Sequence, residues 1–297
     1  MLRIIQRILV ALVALVLAIV AFVYARSEYA LRTHVRVDEA ALAIPTDADA
    51  IARGEHIAIT RGCTDCHTAD LGGKVNMEVP AIGRMAASNL TRGNGGVPAD
   101  FSDADYERAI RHGLKADGTA LLFMPSRDFA ALTDADVADL IAYIKSRPAV
   151  DRKNVPSYIG PLGRALFAFG VLPMVESRLV DHAAPHAPRV DAGATADYGR
   201  YLARACVGCH GEHLSGGPIP GVPPSFKAPA NITPDASGLA GWTRDDFHRV
   251  FREGKKRDGS AIDEFMPWQA LGHFSDMELD ALWAYLQTVP PRALGQR

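Results

Sequence analysis

The sequence predicts an all-α protein, with an N-terminal transmembrane helix followed by two tandem copies of one small helical domain. Three observations predict this. An unbroken apolar run stands near the N-terminus. The rest of the chain repeats its own landmarks at a spacing of 141–143 residues. Within each copy the apolar residues follow a helical rather than an alternating period.

The apolar run comes first. Ile8–Ala25 is 18 consecutive apolar residues, counting Tyr24. At ~1.5 Å rise per residue it makes a helix of roughly 27 Å, close to the thickness of a bilayer's hydrocarbon core. Arg3 and Arg7 precede it, and Tyr24 and Tyr29 stand where an aromatic belt would lie. A cleaved signal peptide would have a shorter run and a small-residue cleavage site. Here Tyr24-Ala25-Arg26-Ser27-Glu28 is a poor match to such a site, which favours a retained anchor. On either reading the basic flank stays in the cytoplasm and the chain from Arg26 onward lies outside the inner membrane.

The remaining chain divides into a first domain at 31–148, a linker at 149–192 and a second domain at 193–297, after an anchor at 1–30. Cys63-Thr64-Asp65-Cys66-His67 matches Cys206-Val207-Gly208-Cys209-His210, 143 residues later. Met124-Pro125 matches Met266-Pro267 after 142 residues. Asn89-Leu90-Thr91 matches Asn231-Ile232-Thr233, and Arg111-His112-Gly113 matches Arg252-Glu253-Gly254. Each domain should contain a helix before its cysteine pair, over about 47–60 and 195–205. A second should open at a capping box, Ser102–Asp105 or Thr243–Asp246, and end near Gly113 or Gly254. A third should open at Thr133 or Ser275. Its apolar stripe is Val137, Leu140, Ile141 and Ile144, or Leu279, Leu282, Trp283 and Leu286. Pro148 and Pro290 close these last helices. No convincing strand pattern is visible. The linker's apolar stretch, Tyr158–Val175, is too broken by Gly and Pro to span a membrane, and reads as a strap packed on both halves.

Each Cys-x-x-Cys-His is a specific signal for covalent attachment of a c-type haem. Two thiols on one helical turn form thioethers with the two vinyl groups, and the adjacent histidine reaches the iron. The four cysteines of the chain are used up by the two motifs. A structural zinc site would need the two pairs close together. A thioredoxin-like pair would need a βαβ context. A disulfide within each pair would leave His67 and His210 unexplained. The sequence therefore predicts two covalent haems c, on Cys63, Cys66 and His67 and on Cys206, Cys209 and His210.

Met124 and Met266 are the expected sixth ligands, since a thioether stabilises ferrous iron and raises the haem potential. Met77, Met85, Met174 and Met277 have no counterpart in the other half and read as core filler. His56, His112, His248 and His273 likewise lack equivalent placement and read as surface or supporting residues. Two filled coordination shells predict an electron carrier and not an enzyme. A net charge of -2 gives no basic surface for nucleic acid.

Through both haem motifs and both Met-Pro segments, the sequence resembles the class I cytochrome c family over most of 46–148 and 193–290. It is more closely similar to the multihaem cytochrome c subunits of membrane-bound alcohol and aldehyde dehydrogenases. Asn231-Ile232-Thr233-Pro234-Asp235, Gly241-Trp242-Thr243, Asp246-Phe247, Arg252-Glu253-Gly254 and Phe265-Met266-Pro267 carry that likeness. In the first half Phe101 replaces the tryptophan and Asn94-Gly95-Gly96 loosens the match. Those subunits usually carry three haem motifs, and this chain has two. The resemblance implies a haem-enclosing α-helical fold with Cys63, Cys66, His67 and Met124, and Cys206, Cys209, His210 and Met266, as attachment and ligand residues. Two methionine-capped haem sites behind an anchor predict electron transfer on the periplasmic side of the inner membrane. The donor would be a dehydrogenase or quinol-oxidising complex, and the acceptor an oxidase or soluble cytochrome. Two alternatives are a dedicated subunit of an alcohol- or aldehyde-type dehydrogenase complex and a dihaem enzyme, such as a peroxidase or thiosulfate dehydrogenase.

Overall fold

A computed structural model describes residues 1–297. Helix α1 (Leu2–Arg32) is the one helix long and apolar enough to cross a membrane. Most of it stands clear of the rest of the protein, but Val23, Ser27 and Ala30 are buried along one face.

The first domain contains α2 (Ala48–Thr60), α3 (Cys63–His67), β1 (Lys74–Val79), β2 (Gly83–Ala87), α4 (Asp103–His112), α5 (Ser126–Phe129) and α6 (Asp134–Ser146). The linker supplies β3 (Tyr158–Ile159), α7 (Pro161–Ala168) and a 3-10 turn at Glu176–Leu179. The second domain contains α8 (Ala196–Leu202), α9 (Arg204–His210), α10 (Arg244–Glu253), α11 (Trp268–Leu271) and α12 (Asp276–Leu286). The fold is thus mainly helical, with its domains in two similar segments.

The helices begin and end for local reasons. Ser102 with Asp105 and Thr243 with Asp246 form complete capping boxes, each satisfying backbone donors worth about 1 kcal/mol. Ser275 and Glu278 form a third, and Thr133 caps α6 by accepting from the Asp136 N–H. Gly113 and Gly254 close α4 and α10 in the left-handed conformation, with φ of 63° and 64°.

In each domain the first and last helices cross on a glycine. A Cβ added to Gly54 would lie 2.0 Å from the Asp139 carbonyl oxygen, and one added to Gly199 would lie 1.9 Å from that of Ala281. Tyr143 and Tyr285 pack over the same two glycines. Each crossing helps frame an apolar core. The first contains Leu71, Tyr106, Ile110, Val137, Leu140 and Ile141. The second contains Leu214, Leu239, Phe247, Phe251, Leu279 and Leu282.

The structure differs from the strand-free expectation at one place. β1, β2 and β3 form a three-stranded antiparallel sheet after the first Cys-x-x-Cys-His, with Val79 opposite Gly83 and Gly83 opposite Ile159. β1 is largely exposed and β2 mostly half-buried, so the alternation of buried and exposed residues that marks a strand covered on one face is missing. The second domain has no counterpart. There Pro218, Pro220, Pro223, Pro224 and Pro229 remove the backbone donors a ladder would need.

Two methionines also depart from expectation. Met174 is buried in a small core with Ala120, Ile159 and Val175, but Met77 and Met277 are both 37% exposed and fill no core.

Candidate haem sites

Each cysteine motif sits on a short helix that leads into a loop of fixed shape. After His67 the chain turns through Leu71 (φ 55°), and after His210 it turns through Leu214 (φ 58°). Gly73 N donates to the His67 carbonyl and Gly216 N to that of His210, both at 2.8 Å. Leu90 N then reaches the Leu71 carbonyl and Ile232 N that of Leu214, both at 2.9 Å.

The Asn-x-Thr segments explain why these loops hold. Asn89 Oδ1 accepts from the N–H and hydroxyl of Thr91, and Asn231 Oδ1 accepts from those of Thr233. Their Nδ2 groups donate at 2.7 Å to the carbonyls of Val150 and Arg292. Each segment thereby ties its loop to the chain that follows the domain's last helix.

The loops place one carbonyl against each histidine. His67 Nδ1–H donates to the Ser88 carbonyl and His210 Nδ1–H to that of Ala230, both at 2.7 Å. With Nδ1 carrying the proton, Nε2 keeps the lone pair that a metal requires. Burial pushes both imidazoles below their ordinary pKa, against the opposing effect of these hydrogen bonds. The neutral, ligating form is the one the fold favours.

The cysteines share this environment. Burial, followed by the neighbouring Cys66, pushes the Cys63 thiol up to about 12. Burial pushes Cys206 up to about 11. No disulfide joins any of the four.

Met124 and Cys63 pack against the first core, and Met266 and Cys206 against the second. The two Met-Pro turns share one conformation. Pro125 has φ -79° and ψ 57°, and Pro267 has φ -77° and ψ 54°. Ser126 N bonds the Met124 carbonyl at 2.8 Å, and Trp268 N that of Met266 at 2.7 Å. Arg111 ties α4 to the start of α6 by donating to the Leu132 carbonyl and Asp134, and Arg252 ties α10 to the start of α12 through Phe274 and Asp276. The first turn is also held by the linker, since Phe123 N donates to the Met174 carbonyl at 3.1 Å.

The other candidate histidines are engaged elsewhere. His56 Nε2 bonds Glu278 at 2.9 Å, His248 Nε2 bonds Asp280 at 2.8 Å, and His112 bonds Glu39 and His182. His112 is only 5% exposed, so it is not a surface residue. His273 is exposed.

The profile of the cytochrome c family matches residues 51–148 and 196–290. The chain belongs to the cytochrome c family. Covalent haem c is the cofactor this family implies. The paired cysteines, the histidine tautomer and the methionine packed on the same core as each motif fit such a group. Among curated proteins, this cytochrome is 28% identical over 279 residues to the cytochrome c subunit of a quinone alcohol dehydrogenase from Gluconacetobacter polyoxogenes. That match covers 84% of this chain and 58% of the other. It is 27% identical to the fructose dehydrogenase cytochrome subunit of Gluconobacter japonicus, over 84% of this chain and 55% of the other. It is 26% identical to a diheme cytochrome c-type protein of Cereibacter sphaeroides, over 80% of this chain and 86% of that one. The cytochrome thus spans little more than half the length of the two dehydrogenase subunits.

The two sites meet along the domain boundary, which the sequence did not reveal. Arg61, two residues before the first motif, donates to the Leu202 carbonyl at 3.0 Å and lies over the Tyr201 ring. Helix α5, which follows Met124-Pro125, packs on α9, which carries the second motif. Gly208 between the two cysteines permits that approach, for a Cβ there would lie 3.2 Å from Asp128 Oδ2. Asp128 resists ionisation chiefly through burial.

Proposed function

We propose that this protein is a membrane-anchored dihaem cytochrome that relays electrons on the periplasmic side of the inner membrane and carries out no substrate chemistry. The observation that carries this reading is the duplication of one site at a shared boundary. Both histidines are oriented by an equivalent carbonyl, both methionines sit on an equivalent turn, and the helix after the first methionine packs on the second motif.

When bound, each haem supplies a one-electron redox centre. The chain's own groups do the rest. Cys63 with Cys66, and Cys206 with Cys209, tether the group. Nε2 of His67 and of His210 would be the ligating nitrogens, since the Ser88 and Ala230 carbonyls hold the opposite ring nitrogens protonated. The thioethers of Met124 and Met266 would serve as the second ligands, which would favour the reduced state. The apolar cores keep water away, which also disfavours added charge. The donor in this reading is a dehydrogenase or quinol-oxidising complex, and the acceptor an oxidase or soluble cytochrome.

Intact mass and absorption spectra of the purified protein test it. Two covalent haems, both low-spin with a sulfur–iron charge-transfer band, are expected. Unmodified cysteines, or a bis-histidine spectrum at either site, would overturn it.

A second reading is favoured by the relatives' names: a dedicated electron-accepting subunit of a dehydrogenase complex. Co-purification of a dehydrogenase after mild detergent extraction separates it from a freely acting carrier. The third, a dihaem enzyme, would require Met124→Ala to leave the first haem's spectrum unchanged.

A further inference from the structure

The linker carries an apolar stripe that the protein leaves largely uncovered. Leu162, Leu166 and Phe169 recur at i, i+4 and i+7 on and just beyond α7, and Leu162 and Phe169 are 49% and 61% exposed. Val171 in the following turn is exposed as well. Between Gly160 and Val175 the only charged residue is Arg164.

That one charge is turned inward to α1. Arg164 pairs with Glu28 at 2.7 Å, donates to Ser27 Oγ at 2.6 Å and lies over the Tyr24 ring. Beside it the Phe169 ring meets the Phe22 ring, with centroids 6.2 Å apart. Phe22 lies three residues inside the end of the apolar run, about 4–5 Å of helix rise below Ala25. A residue touching Phe22 from the side therefore lies at the depth of acyl chains. Amphipathic segments settle roughly 5–10 Å into that boundary.

We propose that α7 and the turn after it form a lipid-embedded foot. Leu162, Phe169 and Val171 insert into the phospholipid leaflet beside α1 on the side of the haem domains. This rests on reading α1 as membrane-spanning. The occupant is lipid because the stripe joins the apolar run of α1 where Phe169 meets Phe22, and because its only charge is neutralised against that helix. The foot is joined to the first domain through β3, whose Tyr158 and Ile159 pair with β2. It therefore fixes the height and tilt of the first haem site over the membrane, which a single tethering helix would leave free.

The test uses the full haem-loaded chain in vesicles of phosphatidylethanolamine and phosphatidylglycerol containing a trace of phospholipid with a diazirine in its acyl chain. After irradiation, tryptic peptides are analysed for lipid adducts. Adducts are expected on peptide 8–26 from α1 and on peptide 165–178 from the foot, with none on peptide 258–292 from the second domain. The double variant Leu162→Asp/Phe169→Asp should lose the adducts on 165–178 and keep those on 8–26, with unchanged haem spectra. Labelling of 8–26 alone in the unaltered chain would overturn the foot while leaving the anchor intact, and would assign the stripe to a protein partner or to solvent. Absence of labelling on 8–26 as well would overturn both.

Discussion

Asp70 shows how single side chains hold the first site in shape. Its carboxylate accepts from the Gly72 N–H at 2.9 Å, from Thr68 Oγ1 at 2.5 Å and from both terminal nitrogens of Arg152. Arg152, followed by Thr68, keeps the Asp70 pKa well below the usual range. A carboxylate depressed in the folded state stabilises the fold above its ordinary pKa and stops doing so as pH falls through the lowered value. Arg152→Ala should therefore shift acid unfolding to higher pH, in the region below about pH 4. At neutral pH the pair is half exposed and the loss should stay under about 1 kcal/mol. Circular dichroism against pH reads both. The methionines give a sharper test. Met266→Ala should abolish the sulfur–iron band of the second haem alone and Met124→Ala that of the first. A variant spectrum identical to that of the unaltered protein would remove the assignment at that site.

At the scale of elements, the helix crossings decide whether each domain closes. The glycines leave no room for a methyl group, and the obstructing atoms are backbone, so the helices must move apart. Overpacking of this kind costs about 1–3 kcal/mol. Gly199→Ala and Gly54→Ala should each lower stability by about that amount in denaturant titrations. Gly193→Ala, where the added methyl's nearest neighbour is 3.7 Å away, should change it by less than about 0.5 kcal/mol. These elements also show what could be read from sequence. The capping boxes, the closing glycines and the stripes of α6 and α12 were legible because their signals span only a few residues. Gly54 and Gly199 passed unnoticed, although the tyrosines that cover them recur at the repeat spacing. The sheet was illegible because β2 and β3 carry no clean alternation of apolar and polar residues, and the third strand lies in the linker, remote in sequence. His56 and Glu278 could not be paired from sequence, since the fold alone brings residues of the two domains together.

For the whole molecule, the question is whether the two domains act as one body, and Tyr201 is where that is decided. Its ring packs against both apolar cores. Its hydroxyl accepts from the Thr133 N–H and donates to Asp136 in the first domain, while Arg61 lies over the ring. Around it, His56 reaches Glu278 and Arg127 reaches Glu212 at 2.7 Å. Burial would raise the Glu278 pKa, but the bonds from His56 and Ser275 outweigh it and hold the group ionised. That contact therefore stabilises the boundary above the ordinary glutamate range and weakens as pH falls. The charged pairs at the rim contribute little each. Loss of a fully buried aromatic ring costs about 3–5 kcal/mol; Tyr201 is half-buried, so its loss costs less than that but more than any single rim pair. Tyr201→Ala should split a single calorimetric transition into two, one per domain, while both haem spectra persist. Since α5 and α9 would then separate, electron equilibration between the haems after flash reduction should slow. Tyr201→Phe keeps the ring and should preserve both the single transition and the rate. If Tyr201→Ala left unfolding cooperative and equilibration fast, the boundary would be held by the ion pairs and not by the shared ring.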